Sequence, residues 1–184
     1  MTIDDELIRE FVRLSKKGKP IGEHILNIAG SSNIEFKLEE TYCMPDPYNP
    51  RAEAKGDYVK MTPDIVVTNL ISGVTTAIEI ENDIQWDFGK SLRQIKTYRK
   101  NTSNFQKVVI IIPKKYERFA RYYKSEGFEV YLWEATRLWQ CMKCDTKIPS
   151  KKTGKPKCTK QNCKSTELAL MGLETHKFAP FKEE

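Results

Sequence analysis

The chain has 184 residues, of which 39% are apolar and 30% charged, a balance typical of a globular protein and not of a disordered or fibrous one. The longest apolar run, residues 108–112, is far shorter than a membrane span needs. The first residues show neither the basic nor the apolar segment of a signal peptide. We therefore expect a cytoplasmic protein with one main domain, a small appendage and no membrane partner.

The formal net charge of +6 is concentrated in one segment near the C-terminus. Residues 141–165 contain eight lysines and one acid, Asp145, for a net charge of +7, so the rest of the chain carries −1. A segment this basic is either a solvated loop or a surface that contacts a polyanion such as nucleic acid.

The N-terminal part of the chain predicts two amphipathic helices, one strand and a loop. Residues 4–18 place apolar side chains at helical spacing, with acids at the front and lysines at the back, and residues 20–30 also have helical spacing. Residues 33–43 alternate apolar and polar side chains, which predicts a half-buried strand. Residues 44–61 are polar and contain three prolines, so we expect a long loop there.

Two runs rich in β-branched residues, 64–70 and 74–82, are joined by a short turn and predict a hairpin. The elements predicted after the hairpin are a helix over 86–100, a strand over 107–112, a helix over 114–127 and a last strand over 128–134. Strands that alternate with helices in this way join a sheet by right-handed parallel crossovers. The order α-β-β-β-α-β-α-β predicts an α/β fold with a mixed sheet flanked by helices.

Four of the five cysteines form two short pairs in the basic segment. Cys141 and Cys144 read C-x2-C. After thirteen intervening residues, Cys158 and Cys163 read C-x4-C. Without a secretory signal, this grouping favours a metal over disulfides, and thiolates suit tetrahedral zinc. Reduced thiols in an unstructured tail, or two disulfides, are the alternatives. Cys43 stands alone, and we expect it to be a small buried hydrophobic residue.

These patterns divide the chain into three parts. We predict a main domain over residues 1–137, a basic zinc-ribbon-like segment over 138–172 and a tail over 173–184. Four thiolates and one zinc ion together carry −2, so the basic segment would keep a charge of about +5 when zinc is bound.

Three carboxylates lie at one end of the predicted hairpin. Glu79 and Glu81 share one face of their strand, opposite Ile78 and Ile80, because side chains alternate along a strand. Asp64 opens the neighbouring strand, opposite the end of the second. Carboxylates this close repel one another, and a divalent cation such as Mg²⁺ or Mn²⁺ relieves the repulsion. The alternative is that these acids lie on a solvated face and pair with lysines.

The same stretch carries a resemblance to a known superfamily. Pro63-Asp64, fourteen residues, and then Glu79-Ile80-Glu81 resembles the PD-(D/E)xK nuclease motif, which is found in restriction endonucleases, archaeal Holliday-junction resolvases and RecB-type nucleases. That superfamily has an α-β-β-β-α-β core, and the resemblance covers roughly residues 20 to 133. It implies a restriction-endonuclease-like fold in which Asp64 and Glu79 bind the metal, with the Ile80 carbonyl as a further ligand.

Other residues follow from the same resemblance. Gln94 and Tyr98 resemble the Q-x3-Y element of RecB-type nucleases and could reach the phosphate backbone of a substrate. Glu23, on the first core helix, is a candidate further metal ligand. The chain departs from the family pattern at Glu81, where lysine is usual, so either Glu81 activates water or binds metal, or Lys90 supplies the missing cation.

The resemblance implies a Mg²⁺- or Mn²⁺-dependent endonuclease that hydrolyses DNA, either as a simple endonuclease or as one selective for branched structures. Zinc would then be structural, and the basic segment would add phosphate contacts. Two alternatives stay open, namely a catalytically inactive nuclease fold that binds or regulates nucleic acid, and an enzyme that acts on RNA. Nucleases of this fold often act as homodimers, because a double-strand cut needs two sites.

Overall fold

The computed structural model describes residues 21–81, 84–151 and 155–183. The predicted helix over residues 4–18 lies outside the described residues. In the described part the helices are α1 (Ile21–Ala29), α2 (Ala52–Lys55), α3 (Ile84–Lys100) and α4 (Glu117–Ser125). The strands are β1 (Ile34–Leu38), β2 (Tyr42–Pro45), β3 (Tyr58–Met61), β4 (Ile65–Asn69), β5 (Thr75–Ile80), β6 (Lys107–Pro113), β7 (Glu129–Cys141), β8 (Lys147–Ser150) and β9 (Leu168–Pro180).

The main sheet is mixed and has the strand order β1-β4-β5-β6-β7-β8, with β9 paired to β7. Strands β5, β6 and β7 run parallel to one another, and the other neighbours in this sheet are antiparallel. Helix α3 connects β5 to β6, and helix α4 connects β6 to β7. The predicted mixed sheet with parallel crossovers is therefore confirmed.

Apolar clusters cover both faces of the sheet. Helix α1 packs Ile25 and Ile28 against one face, together with alternate residues of β4, β5 and β6. Helices α3 and α4 pack against the other face, where Ile95 and Tyr123 meet the remaining residues of the same strands. The central strand β6 is buried on both sides from Val108 to the end, as its continuous apolar run predicted.

The predicted loop over residues 44–61 is wrong. Strands β2 and β3 pair antiparallel as a separate two-stranded sheet, and the short helix α2 lies between them. The pairing satisfies backbone groups that the polar, proline-containing sequence gave no reason to pair. Met44 and Met61 pack against the α3 side of the main core. Cys43, which we expected to be buried, is exposed on this small sheet.

The C-terminal part of the chain is joined to the main sheet more closely than expected. The last predicted strand, over residues 128–134, continues as β7 to Cys141, and β9 pairs with it along its length from Cys141↔Leu168 to Tyr131↔Pro180. The predicted boundaries at 138 and 173 thus fall inside β7 and β9. Phe178 stacks on Tyr131 with ring centroids 5.0 Å apart. Phe181 is buried in the core on the α3 side.

Within the described residues, no helix is both long and apolar enough to cross a bilayer.

Candidate metal centres

The β4–β5 hairpin brings Asp64 next to the end of β5. Ile65 pairs with Ile78 in the antiparallel ladder, so Asp64 comes directly before the pairing and faces Glu79. The Asp64 carboxylate accepts a hydrogen bond from the backbone N–H of Ile80, with Oδ2 2.6 Å from the nitrogen. This contact fixes the carboxylate beside the part of β5 that carries Glu79 and Glu81.

Glu79 is held in a closed group of three side chains. Gln94 Nε2 donates to Glu79 Oε1 at 2.7 Å and to the Tyr98 hydroxyl oxygen at 2.6 Å. The Tyr98 hydroxyl in turn donates to Glu79 Oε2 at 3.1 Å. Glu79 and Tyr98 are only 8% and 1% exposed. The position of Tyr98 therefore does not support the predicted contact with a phosphate backbone, and Gln94 and Tyr98 instead orient Glu79.

The electrostatic environment of Glu79 favours the neutral acid. Burial raises its pKa well above the ordinary value, and the negative charges of Asp64 and Glu81 raise it further, while the hydrogen bond from Tyr98 opposes them. Burial, and then the charge of Glu79, also raise the pKa of Tyr98. A cation placed among Asp64, Glu79 and Glu81 would stabilise the ionised form of Glu79.

Glu81 follows β5 and turns towards helix α3. Burial raises its pKa, a hydrogen bond with Ser91 lowers it, the charge of Asp87 raises it and the charge of Lys90 lowers it. Lys90 is exposed on α3 but lies close enough to Glu81 to affect its ionisation. Glu81 and Lys90, the two residues that could replace the lysine of the family motif, therefore lie at the same end of β5.

In the described part of the chain, the carboxylates of Asp64, Glu79 and Glu81 do not form a finished metal site. Among the described residues, the cysteine cluster is the only group of three or more potential ligand atoms that lie within 4.8 Å of one another. Glu23 belongs to helix α1, but its side chain lies outside the described residues. The Ile80 carbonyl stays a predicted ligand.

Sequence reasoning missed Ser91 and Tyr123. Ser91 is 2% exposed, and its hydroxyl lies 2.8 Å from that of the fully buried Tyr123. Ser91 thereby links Glu81 to the packing between α3 and α4. A signal was present, since Ser91 lies seven residues before Tyr98, which is two helical turns along the same face. A small polar residue on an otherwise apolar stripe needs a buried partner.

The four thiols at the end of β7 form a compact group. Their Sγ atoms all lie within 4.8 Å of one another, and the Cys141–Cys163 and Cys144–Cys158 pairs are each 3.6 Å apart. Tetrahedral zinc with Zn–S bonds of about 2.3 Å requires sulfur atoms roughly 3.8 Å apart. All four thiols are free, so the geometry suits a metal and not two disulfides.

The turns around the two cysteine pairs resemble each other in backbone conformation. Asp145 and Lys164, which directly follow the second cysteine of each pair, have φ values of 55° and 43°. Each pair is also closed by a local backbone hydrogen bond, from Asp145 N to Cys141 O at 2.8 Å and from Cys163 N to Lys160 O at 3.0 Å. A residue with positive φ lets the chain reverse its direction directly after each cysteine pair.

The thiol chemistry also suits a metal. Hydrogen bonds from the side chain and the backbone of Thr146 lower the pKa of Cys144 to about 6. In Cys158 and Cys163 a backbone hydrogen bond lowers the pKa, but burial and hydrogen bonds with the neighbouring cysteines outweigh it and raise the pKa, so Cys144 ionises more readily than these two. Thiolates are the form that binds zinc. Ile148 and Leu168 are buried against the cysteines, which keeps this small group ordered. The predicted four-cysteine cluster is confirmed, and a metal such as zinc fits it.

Seven of the eight lysines in the basic segment are described, and all seven are exposed: Lys143, Lys147, Lys151, Lys155, Lys157, Lys160 and Lys164. Lys151 forms an ion pair with Glu134 of β7. The cysteine cluster thus presents a positively charged surface.

Comparison of the chain with models of protein families, with curated proteins and with solved structures found no match.

Proposed function

We propose that this protein is a Mg²⁺- or Mn²⁺-dependent nuclease that hydrolyses phosphodiester bonds in DNA. The observation that carries the proposal is the buried Glu79 carboxylate, which faces Asp64 across the hairpin and is oriented by Gln94 and Tyr98. A carboxylate in this position, with two further acids nearby, needs a positive charge to remain ionised. The resemblance of Pro63-Asp64 and Glu79-Ile80-Glu81 to the PD-(D/E)xK motif favours DNA as the substrate.

Each residue has a separate role in this proposal. Asp64 and Glu79 would hold the cation, together with the Ile80 carbonyl. Carboxylate-bound Mg²⁺ or Mn²⁺ supplies charge to stabilise a phosphodiester and lowers the pKa of a bound water. Glu81 lies on the same strand face as Glu79 and would accept a proton from the attacking water. Lys90 lies close to Glu81 and is the alternative source of the positive charge that the family motif places at residue 81.

The basic segment would hold DNA on the enzyme without reading its sequence. Its exposed lysines suit contacts with phosphates, which release counterions and make affinity fall steeply as salt increases. Zinc in the cysteine cluster would have a structural role only.

The test is cleavage of labelled duplex, single-stranded and branched DNA, with an RNA substrate alongside, by protein prepared without chelator. Cleavage with Mg²⁺ or Mn²⁺ is expected for at least one DNA. Glu79→Gln and Asp64→Asn should lower turnover on the order of 100-fold or more. Glu53→Gln, an exposed change on α2, is the matched control and should leave turnover unchanged. Absence of cleavage with Mg²⁺, Mn²⁺ and Co²⁺ would contradict the proposal.

One observation favours a second candidate, a nuclease fold that binds nucleic acid without cutting it. The three carboxylates do not meet the ligand spacing that the cysteines meet, and Glu81 stands where the family has lysine. This candidate predicts salt-dependent DNA binding that is insensitive to Glu79→Gln and no cleavage with any divalent cation.

A further inference from the structure

A cavity of about 500 Å³ lies between the exposed side of α3 and the turn that follows β2. Its lining residues are Tyr48, Gly89, Leu92, Arg93 and Lys96, and we call it the Tyr48 groove. The four α3 residues recur at intervals of three and four positions, so they form one continuous stripe of the helix. Glu79 contacts Gln94 and Tyr98, which lie on a different side of the same helix.

The charges beside the Tyr48 groove are suited to an anion. Arg93, Lys90 and Lys100 are exposed on α3, while Lys96 is paired with Glu126 at 2.8 Å. By helical geometry Lys90 lies one turn from both Arg93 and Gln94, and Gln94 contacts Glu79. The cations thus form a track from the groove to the acidic end of β5.

Tyr48 offers an aromatic surface at the groove. It is 53% exposed, and the ammonium of Lys100 lies 4.0 Å from its ring centroid. A hydrogen bond from the Tyr48 backbone N–H to Asp46 Oδ1, 2.9 Å long, fixes the turn that carries it. An exposed aromatic ring beside several cations is the combination that binds unpaired nucleotides, since bases stack on the ring and phosphates meet the cations.

Gly89 is a further sign that something approaches this side of α3. It lies in the first turn of α3 after a kink at Asp87, whose φ of −116° and ψ of 16° are not helical, and its own backbone needs no special conformation. Glycine is less favourable than alanine in a helix. A Cβ atom added there would meet no heavy atom within 4 Å. The packing of this chain therefore does not require glycine, whereas close approach of a ligand would.

We propose that the Tyr48 groove binds an unpaired nucleic-acid strand and guides it along α3 towards Glu81. This inference rests on the proposed function, and it adds that the substrate has a single-stranded portion. From Gly89 to Lys96 the helix rises by about 10 Å, so the groove is long enough for a few nucleotides.

The test is binding of a short fluorescein-labelled oligothymidylate, measured by anisotropy with the zinc-loaded full chain and without added Mg²⁺ or Mn²⁺. Duplex DNA and oligouridylate of the same length form the other arms and identify the kind of strand. Tyr48→Ala should weaken oligothymidylate binding roughly 5- to 100-fold, and Tyr48→Phe should restore it. Tyr58→Ala is the matched control and should change nothing, because Tyr58 is 56% exposed on β3, near the turn that carries Tyr48, but does not line the groove.

Two more variants distinguish loss of binding in the groove from an indirect effect on folding. Gly89→Leu should raise the unfolding midpoint by about 2–4 °C, because leucine is the better helix former, and yet weaken oligothymidylate binding. Arg93→Gln should reduce the slope of log affinity against log salt by about 0.7. Lys124→Gln, an exposed change on α4, should leave that slope as it is.

The outcomes distinguish the groove from the nuclease proposal. If the unaltered protein cleaves no nucleic acid but the groove variants lose oligothymidylate binding, the groove proposal is supported and the nuclease proposal is contradicted. Cleavage and oligothymidylate binding that are both unaffected by Tyr48→Ala and Gly89→Leu would overturn the groove and leave the nuclease intact. Equal loss of binding in Tyr58→Ala would also overturn the groove.

Discussion

The two candidate metal centres of this chain differ in how they are built. The cysteine cluster takes its ligands from two short turns, and its sulfur atoms already have the spacing of a metal site. The carboxylate centre takes its ligands from the residue before β4, from β5 and from the residue that follows β5, and they do not reach that spacing. Local turn geometry can preform a site, whereas three neighbouring like charges repel until a cation joins them.

The largest expected effect concerns the cysteine cluster. Cys158→Ser, or removal of zinc, should disorder the segment from about residue 141 to 165, because most of the folding free energy of such a segment comes from the metal. The zinc content measured by elemental analysis should fall from one ion per chain to none. Trypsin should then cleave the segment at its lysines. The exposed Cys43 provides the matched control, since Cys43→Ser should keep the zinc.

Loss of zinc should leave the main sheet folded. Strands β7 and β9 pair from Tyr131 to Cys141, so the part next to the main sheet should remain folded after zinc loss. Collapse of the whole chain would show that the cluster is integral to the main core.

Glu81 and Lys90 test how the carboxylate centre is completed. If Glu81 activates the water or binds the metal, Glu81→Gln should lower turnover by at least about 10-fold, while Lys90→Ala has the smaller effect. We expect this ranking, because Glu81 follows Glu79 on the same strand face. The reverse ranking in a steady-state cleavage assay would assign the role to Lys90, and full activity of both variants would remove both residues from the site.

The pH dependence of stability should reveal the buried carboxylates. The pKa of Glu79 is raised by burial and by Asp64, so the folded protein takes up its proton at higher pH than the unfolded chain does. The free energy of unfolding without a divalent cation at this site should therefore increase as pH falls through the folded pKa of Glu79, and level off near 4.5. Glu79→Gln should flatten this profile, which chemical denaturation at several pH values measures. An unchanged profile would mean that Glu79 titrates normally.

The smallest effect concerns Lys164. Its φ of 43° costs a non-glycine residue about 1–2 kcal/mol, and the lost chain entropy of glycine offsets part of that cost. Lys164→Gly should therefore stabilise the zinc-bound segment by less than about 1 kcal/mol. Zinc competition with a chelator reports the difference, and weaker retention of zinc by the variant would contradict the account.

The sequence was most informative where a pattern has a local cause. Helical spacing predicted α3, the apolar run predicted β6, and cysteine spacing predicted the cluster. The pairing of β2 with β3 was missed because these strands have only four residues each and depend on contacts that no local pattern encodes. The same applies to β9, whose pairing with β7 runs from Tyr131 to Cys141 and depends on contacts between segments about 40 residues apart in sequence.

The carboxylate site was predictable in its members and less so in their contacts. Strand alternation placed Glu79 on the face opposite Ile78 and Ile80, and in the structure α3 covers that face. Which way Gln94 and Tyr98 point depends on the rotation of α3, and packing against the sheet sets that rotation. Sequence spacing put both on one face of the helix but did not indicate whether they contact a phosphate or Glu79.

The most direct test of the carboxylate centre is to measure Mn²⁺ binding by the zinc-loaded protein with isothermal titration calorimetry. The zinc content of the same samples is determined by elemental analysis. At neutral pH we expect Mn²⁺ to bind at a site separate from zinc. Asp64→Asn and Glu79→Gln should each abolish that binding, while both variants retain one zinc per chain. Binding of Mn²⁺ that survives both substitutions, or no binding by the unaltered protein, would contradict a metal centre formed by Asp64 and Glu79.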